Sequence, residues 1–203
     1  MQMTTLNLTL ELERLIGHIA RQVEEFAHID PRRVLVCVSS TRGGGVHGTY
    51  AKIHPLRFEE GSRRKTVRRG VRGYEYEMPV VSHRGVEMLY VIYFLVPRFL
   101  NLPFREKMIT LFHELFHISP EFNGDIRRFP GRNYAHGGST RRYNARMAAL
   151  VDGYLSTLDD RSLVSFLEGD MEEVRGRFKA IVGRRMEAPR IRLVRNHGFR
   201  LTY

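Results

Sequence analysis

Three residues near the middle of the chain have the types and spacing to bind a metal ion and activate water. His113, Glu114 and His117 form the pattern His-Glu-x-x-His. On an α-helix, residues four apart lie on the same face, so both imidazoles can reach one metal ion. Catalytic zinc typically has three protein ligands and an open position, and a neighbouring carboxylate can take a proton from the bound water. The pattern therefore predicts His113 and His117 as zinc ligands and Glu114 as the catalytic base.

The motif lies in a segment, residues 104–118, whose pattern favours a helix. Apolar side chains recur there at helical spacing, at Met108, Leu111, Phe112, Leu115 and Phe116. One face of such a helix packs against a core, and the two histidines fall on the other side, where we expect a cleft. The alternative is a packed helix whose histidines only hydrogen-bond to neighbours or water. That arrangement is less favourable, because two imidazoles and a carboxylate would lose solvation without a compensating partner.

A third ligand has to come from further along the chain, and three residues are candidates. His136 is the first choice, because imidazole is a common zinc ligand and the two glycines that follow it favour a tight turn. Asp125 is the second, although a short acidic residue after Asn-Gly more often forms a turn or orients a ligand. Glu121 is the third, and a surface position explains it equally well. The predicted metal ligands are thus His113, His117 and His136.

The motif of His113 and His117, followed by His136-Gly137, resembles the zincin metallopeptidases and is most similar to their SprT-like group. The resemblance covers roughly residues 104–150. It implies a zinc-dependent peptidase whose third ligand is the histidine of the His-Gly turn. It also implies a sheet strand beside the active-site helix that holds the substrate backbone by strand addition. Recruitment of the peptidase to nucleic acid is a further implication.

The composition indicates a globular protein with a strongly basic surface. The chain has 203 residues, 42% of them hydrophobic, which suffices for one domain with a sizeable core. Thirty-three Lys and Arg against 22 Asp and Glu give a net charge of +11, which attracts polyanions. Nucleic acid is the natural candidate partner, and a basic surface without a dedicated partner is the alternative.

The densest basic run spans residues 63–72 and lies between segments that favour strands. We expect a hairpin loop that contacts phosphates, with Tyr74 and Tyr76 nearby as stacking surfaces. A solvated loop without a ligand is the alternative. Residues 190–203 mix arginines with apolar residues, which predicts either an edge strand or a basic C-terminal arm.

Several classes of protein are disfavoured by what the sequence lacks. No segment reaches the roughly 18 to 20 continuous apolar residues that span a membrane. The N-terminal residues lack the basic and then apolar pattern of a signal peptide, so we expect a cytoplasmic protein. The one cysteine, Cys37, lies in an apolar run and is expected to be a small core residue.

The elements that must position the motif follow from the same periodicities. Helices are expected at residues 10–29, 104–118 and 141–158, with one or two more between 161 and 177. Strands are expected at residues 34–38, 50–58, 74–81 and 86–96. The last strand is the most apolar and should be central, whereas Pro55 should place its strand at a sheet edge. The glycine-rich residues 41–48 are expected to form a loop.

Tyr134 and Tyr143 flank His136 in sequence, and either phenol could donate to a developing oxyanion, although packing is the commoner role.

Together these features predict a single α+β domain over residues 1–203. In this zincin-like fold a small twisted sheet packs on the metal-binding helix, and the C-terminal part is helical. The predicted function is zinc-dependent hydrolysis of peptide or protein substrates. A nucleic-acid-binding protein with a closed structural metal site is the alternative, as is a peptidase recruited to nucleic acid.

Overall fold

The computed structural model describes residues 4–41, 48–129 and 140–198 of the chain. The α-helices of these residues are Leu8–Gln22 (α1), Phe104–Phe116 (α2), Thr140–Ser156 (α3) and Met171–Arg177 (α4). The strands are Thr5–Asn7 (β1), Val34–Ser40 (β2), Ala51–Pro55 (β3), Arg64–Arg69 (β4), Arg72–Glu77 (β5), Ser82–His83 (β6), Val86–Glu87 (β7), Tyr90–Val96 (β8), Ala180–Val182 (β9) and Arg192–Gly198 (β10). Helices together with several small sheets make this an α+β fold, which confirms the predicted class.

The central sheet has three strands in the order β2-β8-β3. Strand β8 runs parallel to β2 and antiparallel to β3, with Ile92 opposite both Val36 and Ile53. Most of β8 is buried, as expected for a continuously apolar strand in the middle of a sheet. Strand β3 ends at Pro55 and lies at the edge. The predicted positions of the central strand and the edge strand are both confirmed.

The largest hydrophobic core lies between one face of this sheet and helices α1, α2 and α3. Tyr90, Ile92 and Phe94 point into it from β8, because alternate side chains of a strand face the same side. The opposite face of the sheet carries a smaller cluster that includes Cys37. Burial raises the pKa of the Cys37 thiol to about 11, so this residue is a protonated core residue, as the sequence predicted.

Helix α2, which carries the motif, packs its apolar face into this core. Its apolar residues Met108, Leu111, Phe112, Leu115 and Phe116 are all fully buried, as their spacing predicted. The helix ends at Phe116, with His117 as its C-terminal cap residue. It stops before the predicted Ile118 because that residue forms an antiparallel bridge with Ile126.

Other predicted elements differ in their bounds or their type, or lie outside the described residues. Helix α1 begins at Leu8, where Asn7 caps it by accepting a hydrogen bond from the Leu10 N–H, and it ends at Gln22 because Val23 is extended. Two 3₁₀ turns and the short α4 occupy residues 161–177. The predicted glycine-rich loop falls mostly on residues 42–47, which lie outside the described residues.

The prediction of a loop for the basic run 63–72 is wrong. Most of that run forms strand β4 and the start of β5, with a two-residue turn at Gly70 and Val71 between them. Gly70 has a φ of +60°, which the first position of such a hairpin turn favours. Strand β10 pairs with β5, so the C-terminal segment is an edge strand in the order β10-β5-β4.

None of the helices in the described part of the chain is long and apolar enough to cross a membrane.

Candidate metal centre

The two histidines of the motif converge on one point. The Nε2 atoms of His113 and His117 lie 3.0 Å apart, and the two ring centroids are 4.7 Å apart with the rings nearly perpendicular. Two zinc–nitrogen bonds of about 2.0–2.1 Å at a tetrahedral angle place their nitrogens roughly 3.3 Å apart. The observed pair therefore needs only a small adjustment to hold one zinc ion between its nitrogens. Both rings are half-buried at the end of α2.

Glu114 lies beside the histidines in a much drier environment. It is only 6% exposed, and burial raises the pKa of its carboxyl group to about 7. A hydrogen bond from the backbone of Ile53 opposes this increase. A carboxyl group with a pKa near neutrality is suited to accept and release a proton.

The position of Ile53 follows from the register of the edge strand. The Leu56 N–H donates to the Leu89 carbonyl, and the Leu95 N–H donates to the Tyr50 carbonyl. Tyr50 and Leu56 are therefore hydrogen-bonded to their partners across the ladder. Such pairs alternate with non-hydrogen-bonded pairs along an antiparallel ladder, so Ile53 belongs to a non-hydrogen-bonded pair and its backbone groups point away from β8. The edge strand thus turns a backbone N–H toward Glu114 on the neighbouring helix.

Tyr143 of α3 packs against both histidine rings. Its ring lies edge-on to His113 at 5.0 Å and stacks on His117 at 6.0 Å. Its hydroxyl donates to the backbone carbonyl of His113 over 3.4 Å. Burial, with the charge of Glu114 as a second cause, raises the pKa of the phenol well above its usual range. Tyr143 therefore supports the two rings through packing and stays protonated.

The chain that follows α2 folds back onto the end of the helix. The Arg127 N–H donates to the His117 carbonyl over 2.7 Å, and its Nε donates to the Phe116 carbonyl over 2.8 Å. Its guanidinium lies 4.1 Å from the centroid of the Phe116 ring. These contacts satisfy carbonyls that a helix end leaves unpaired. Arg127 was not predicted, because its role depends on the path of the returning chain.

Phe129, the last described residue before residue 140, packs near the end of α2. Phe129 stacks on Phe116 at 6.2 Å and lies edge-on to Tyr143 at 6.3 Å. The next described residue is Thr140, at the start of α3. The predicted ligand His136, together with Tyr134, falls between these points and lies outside the described residues.

Asp125 holds two loops together. Its carboxylate accepts hydrogen bonds from the N–H groups of Ile126 and Glu60, at 2.8 and 3.2 Å. Both of its oxygens also pair with Arg128, at 3.0 and 3.1 Å. The loop-forming role that was the commoner expectation for this residue is therefore the one observed.

Glu121 is exposed, and its carboxylate accepts a hydrogen bond from the Asn123 amide at 2.9 Å. Across residues 4–41, 48–129 and 140–198, no three His, Cys, Asp or Glu side chains are grouped so that they could hold a metal ion. Neither alternative ligand, Asp125 or Glu121, therefore joins the histidine pair.

Comparison with known proteins bears on this arrangement. A family model described as "Putative phage metallopeptidase" matches residues 6–154, which include the whole motif and both predicted alternatives to His136. A search of the curated proteins and a search of the solved structures each found no match. Because the family model spans well over half of the 203 residues, the chain belongs to this family of phage metallopeptidases.

Proposed function

We propose that the protein is a zinc-dependent peptidase in which His113 and His117 are ligands and Glu114 is the general base. The observation that carries the proposal is the 3.0 Å approach of the two Nε2 atoms beside a buried carboxylate. Membership of a metallopeptidase family supports a metal ion at this point. A bound zinc ion supplies a water of lowered pKa and polarises the scissile carbonyl.

The protein's own groups then move the proton. Glu114 takes it from the attacking water and passes it to the leaving amine. A buried carboxyl group whose pKa lies near neutrality can perform both transfers, because it is neither too weak as a base nor too weak as an acid. The Ile53 backbone holds this carboxyl group in place.

We propose His136 as the third ligand. This choice is supported by Phe129, which lies edge-on to Tyr143, and by Tyr143, which packs against both histidine rings. Six residues separate Phe129 from His136, and the seven steps along the chain span up to roughly 23 Å. Among the side chains that are not described, the His, Cys, Asp and Glu residues are His47, His136 and His197. Of these, His136 is the one that falls between Phe129 and Tyr143 in the sequence.

The edge strand provides the place for a peptide. Ala51 and Ile53 turn their backbone groups to the open side of β3, which lies beside α2, and there the Ile53 N–H already donates to Glu114. An extended substrate that adds to this edge would lie next to Glu114. Pro55 has no N–H to offer, so substrate pairing would depend on the first part of the strand.

Metal content is the first test. The wild-type protein should hold about one zinc ion per chain, and His113→Ala, His117→Ala and His136→Ala should each lose it. Glu121→Ala is the matched control, because it removes an exposed candidate ligand, and it should retain zinc. Wild-type protein without zinc after reconstitution would contradict the proposal. Zinc kept by His136→Ala but lost by a folded Asp125→Ala variant would transfer the third position to Asp125.

A further inference from the structure

Besides the metal centre, the protein has a small sheet that lies outside both hydrophobic cores. It contains β10, β5 and β4, and none of its described residues belongs to either core cluster. Most side chains of β4 and β10 are exposed. We propose that one face of this sheet binds single-stranded nucleic acid. The proposal does not depend on the metal centre.

The register sorts the charged residues onto two different faces. Residues directly opposite each other across an antiparallel pair project to the same face. One face, called the paired face, carries Glu75 and Glu77 of β5. Arg64 of β4 lies within 3.6 and 3.2 Å of these two carboxylates. Arg192 and Arg195 of β10 lie 3.8 and 3.9 Å from Glu77 and Glu75. Three arginines of this face therefore pair with its two carboxylates, and the exposed Arg68 lies on the same face, opposite Gly73.

The other face, called the open face, carries cations and aromatic rings without a carboxylate. It comprises Lys65, Val67, Arg69, Arg72, Tyr74, Tyr76, Leu193 and Asn196. Among the described residues, no ion pair joins Lys65, Arg69 or Arg72 to an acidic group, and each of the three is exposed. The guanidinium of Arg69 lies 5.7 Å from the centroid of the Tyr74 ring. This face therefore presents free positive charge next to aromatic surface.

The arrangement at the tip of the hairpin is unfavourable for the isolated protein. Arg69 and Arg72 are direct cross-strand partners on the open face. Like charges directly opposite each other destabilise a sheet, whereas on the paired face of the same hairpin Arg64 lies directly opposite the acidic Glu77. An anion placed between the two guanidinium groups would remove this repulsion. A phosphate group suits such a site, because arginine binds phosphate oxygens in a bidentate manner.

The tyrosines indicate which polyanion fits. Tyr74 and Tyr76 are half-buried neighbours on the open face, where Tyr76 lies opposite Lys65 and Tyr74 lies opposite Val67, between the Lys65 and Arg69 positions. Single strands combine phosphates with unstacked bases, and sheets with exposed aromatic rings among cations bind both parts. A duplex keeps its bases stacked, so it would use the cations but not the rings. The combination of features therefore favours a single strand.

Fluorescence anisotropy with a labelled single-stranded oligonucleotide tests the proposal, with a duplex of the same sequence for comparison. The open-face triple variant Lys65→Ala/Arg69→Ala/Arg72→Ala should weaken binding by about 10-fold or more. It should also reduce the slope of log K against log[salt] by about 2, since each lost contact to a single strand removes about 0.7. The paired-face triple variant Arg64→Ala/Arg192→Ala/Arg195→Ala removes the same charge and should change the affinity much less.

The aromatic contribution has its own pair of variants. Tyr74→Phe/Tyr76→Phe retains the rings and should bind like the wild type, whereas Tyr74→Val/Tyr76→Val should weaken binding by about 10-fold. Valine is chosen because it favours strands, so the sheet should persist, as circular dichroism can verify. Equal losses from the two triple variants would overturn the proposal. So would tighter binding to the duplex, or binding to anionic phosphatidylserine vesicles without binding to the oligonucleotide.

Discussion

The backbone of Ile53 hydrogen-bonds to the carboxyl group of Glu114, and this contact joins the edge strand to the motif helix. The edge strand that we propose to accept an extended peptide is thus also the strand whose backbone contacts the proposed base. We therefore expect a change in the backbone of this strand to alter the position of Glu114.

Glu114→Gln should abolish peptide hydrolysis while zinc remains bound. Glutamine fills nearly the same buried volume but cannot take a proton. General acid–base catalysis contributes about 10²- to 10⁴-fold, so kcat/KM should fall at least about 100-fold. Hydrolysis of fluorescein-labelled casein and elemental analysis of the same sample measure both effects. Retained hydrolysis by this variant would remove Glu114 from the mechanism.

Ile53→Pro tests the contact between strand and helix. The Ile53 N–H points away from β8, so proline there removes the donor to Glu114 without removing a ladder hydrogen bond. We expect kcat to fall about 10- to 100-fold, which corresponds to a charged hydrogen bond worth about 1.5–3 kcal/mol. Zinc content should not change.

The matched control is Ile53→Val, which keeps both the N–H and the branched side chain. It should retain kcat to within about 2-fold, as expected for a small change in packing. Equal kcat values for Ile53→Pro and the wild type, with both proteins folded, would show that Glu114 does not need this donor.

Tyr143 allows its packing role to be separated from a role in the reaction. Tyr143→Phe keeps the ring against His113 and His117 and loses the hydroxyl, with its hydrogen bond to the helix backbone, so it should cost about 0.5–1.5 kcal/mol of stability and retain activity. Tyr143→Leu removes the ring and should weaken zinc binding about 10-fold or more. A Tyr143→Phe variant that binds zinc normally but loses activity 100-fold would instead indicate that the hydroxyl group acts on the substrate.

The sequence predicted best the features that depend on local periodicity. Helix α2 and its buried face followed from apolar spacing, and the approach of His113 to His117 followed from their four-residue separation. The central position of β8 followed from its continuous apolar run. Each of these depends on residues that are close in sequence, so no knowledge of the tertiary path was needed.

Features that depend on register or on the returning chain could not be predicted in this way. The Ile53 group that donates to Glu114 is a backbone N–H, so the residue type at position 53 does not predict this hydrogen bond. Arg127 reaches the end of α2 only because residues 118–126 turn back. In β4, Val67 is the one apolar residue among charged and polar neighbours, so the basic run shows no alternation of apolar and polar residues. Its high charge therefore led to the wrong prediction of a loop.

Lys107 makes the stability of the protein depend on alkaline pH. It is fully buried in α2, where its Nζ donates to the carbonyl of Leu167 at 2.8 Å and to the carbonyl of Gly169. Burial, followed by the charge of Arg177, lowers its pKa from 10.5 to about 8. Between these two values the unfolded chain binds more protons than the folded one, so the free energy of unfolding should rise as the pH increases from about 8 toward 10.5.

Urea unfolding of the metal-free protein at pH 7.5 and at pH 9.5 measures this dependence, with Lys107→Met as the comparison. Methionine has a similar length but leaves the two carbonyls without a donor, so the variant should be less stable than the wild type at both pH values. At the higher pH the free energy of unfolding of the wild type should rise relative to that of the variant. Only the wild type has a buried amino group that loses its proton, and with it the free-energy cost of burying a charge. Parallel pH profiles for the two proteins would mean that Lys107 titrates in the folded protein as it does in the unfolded chain.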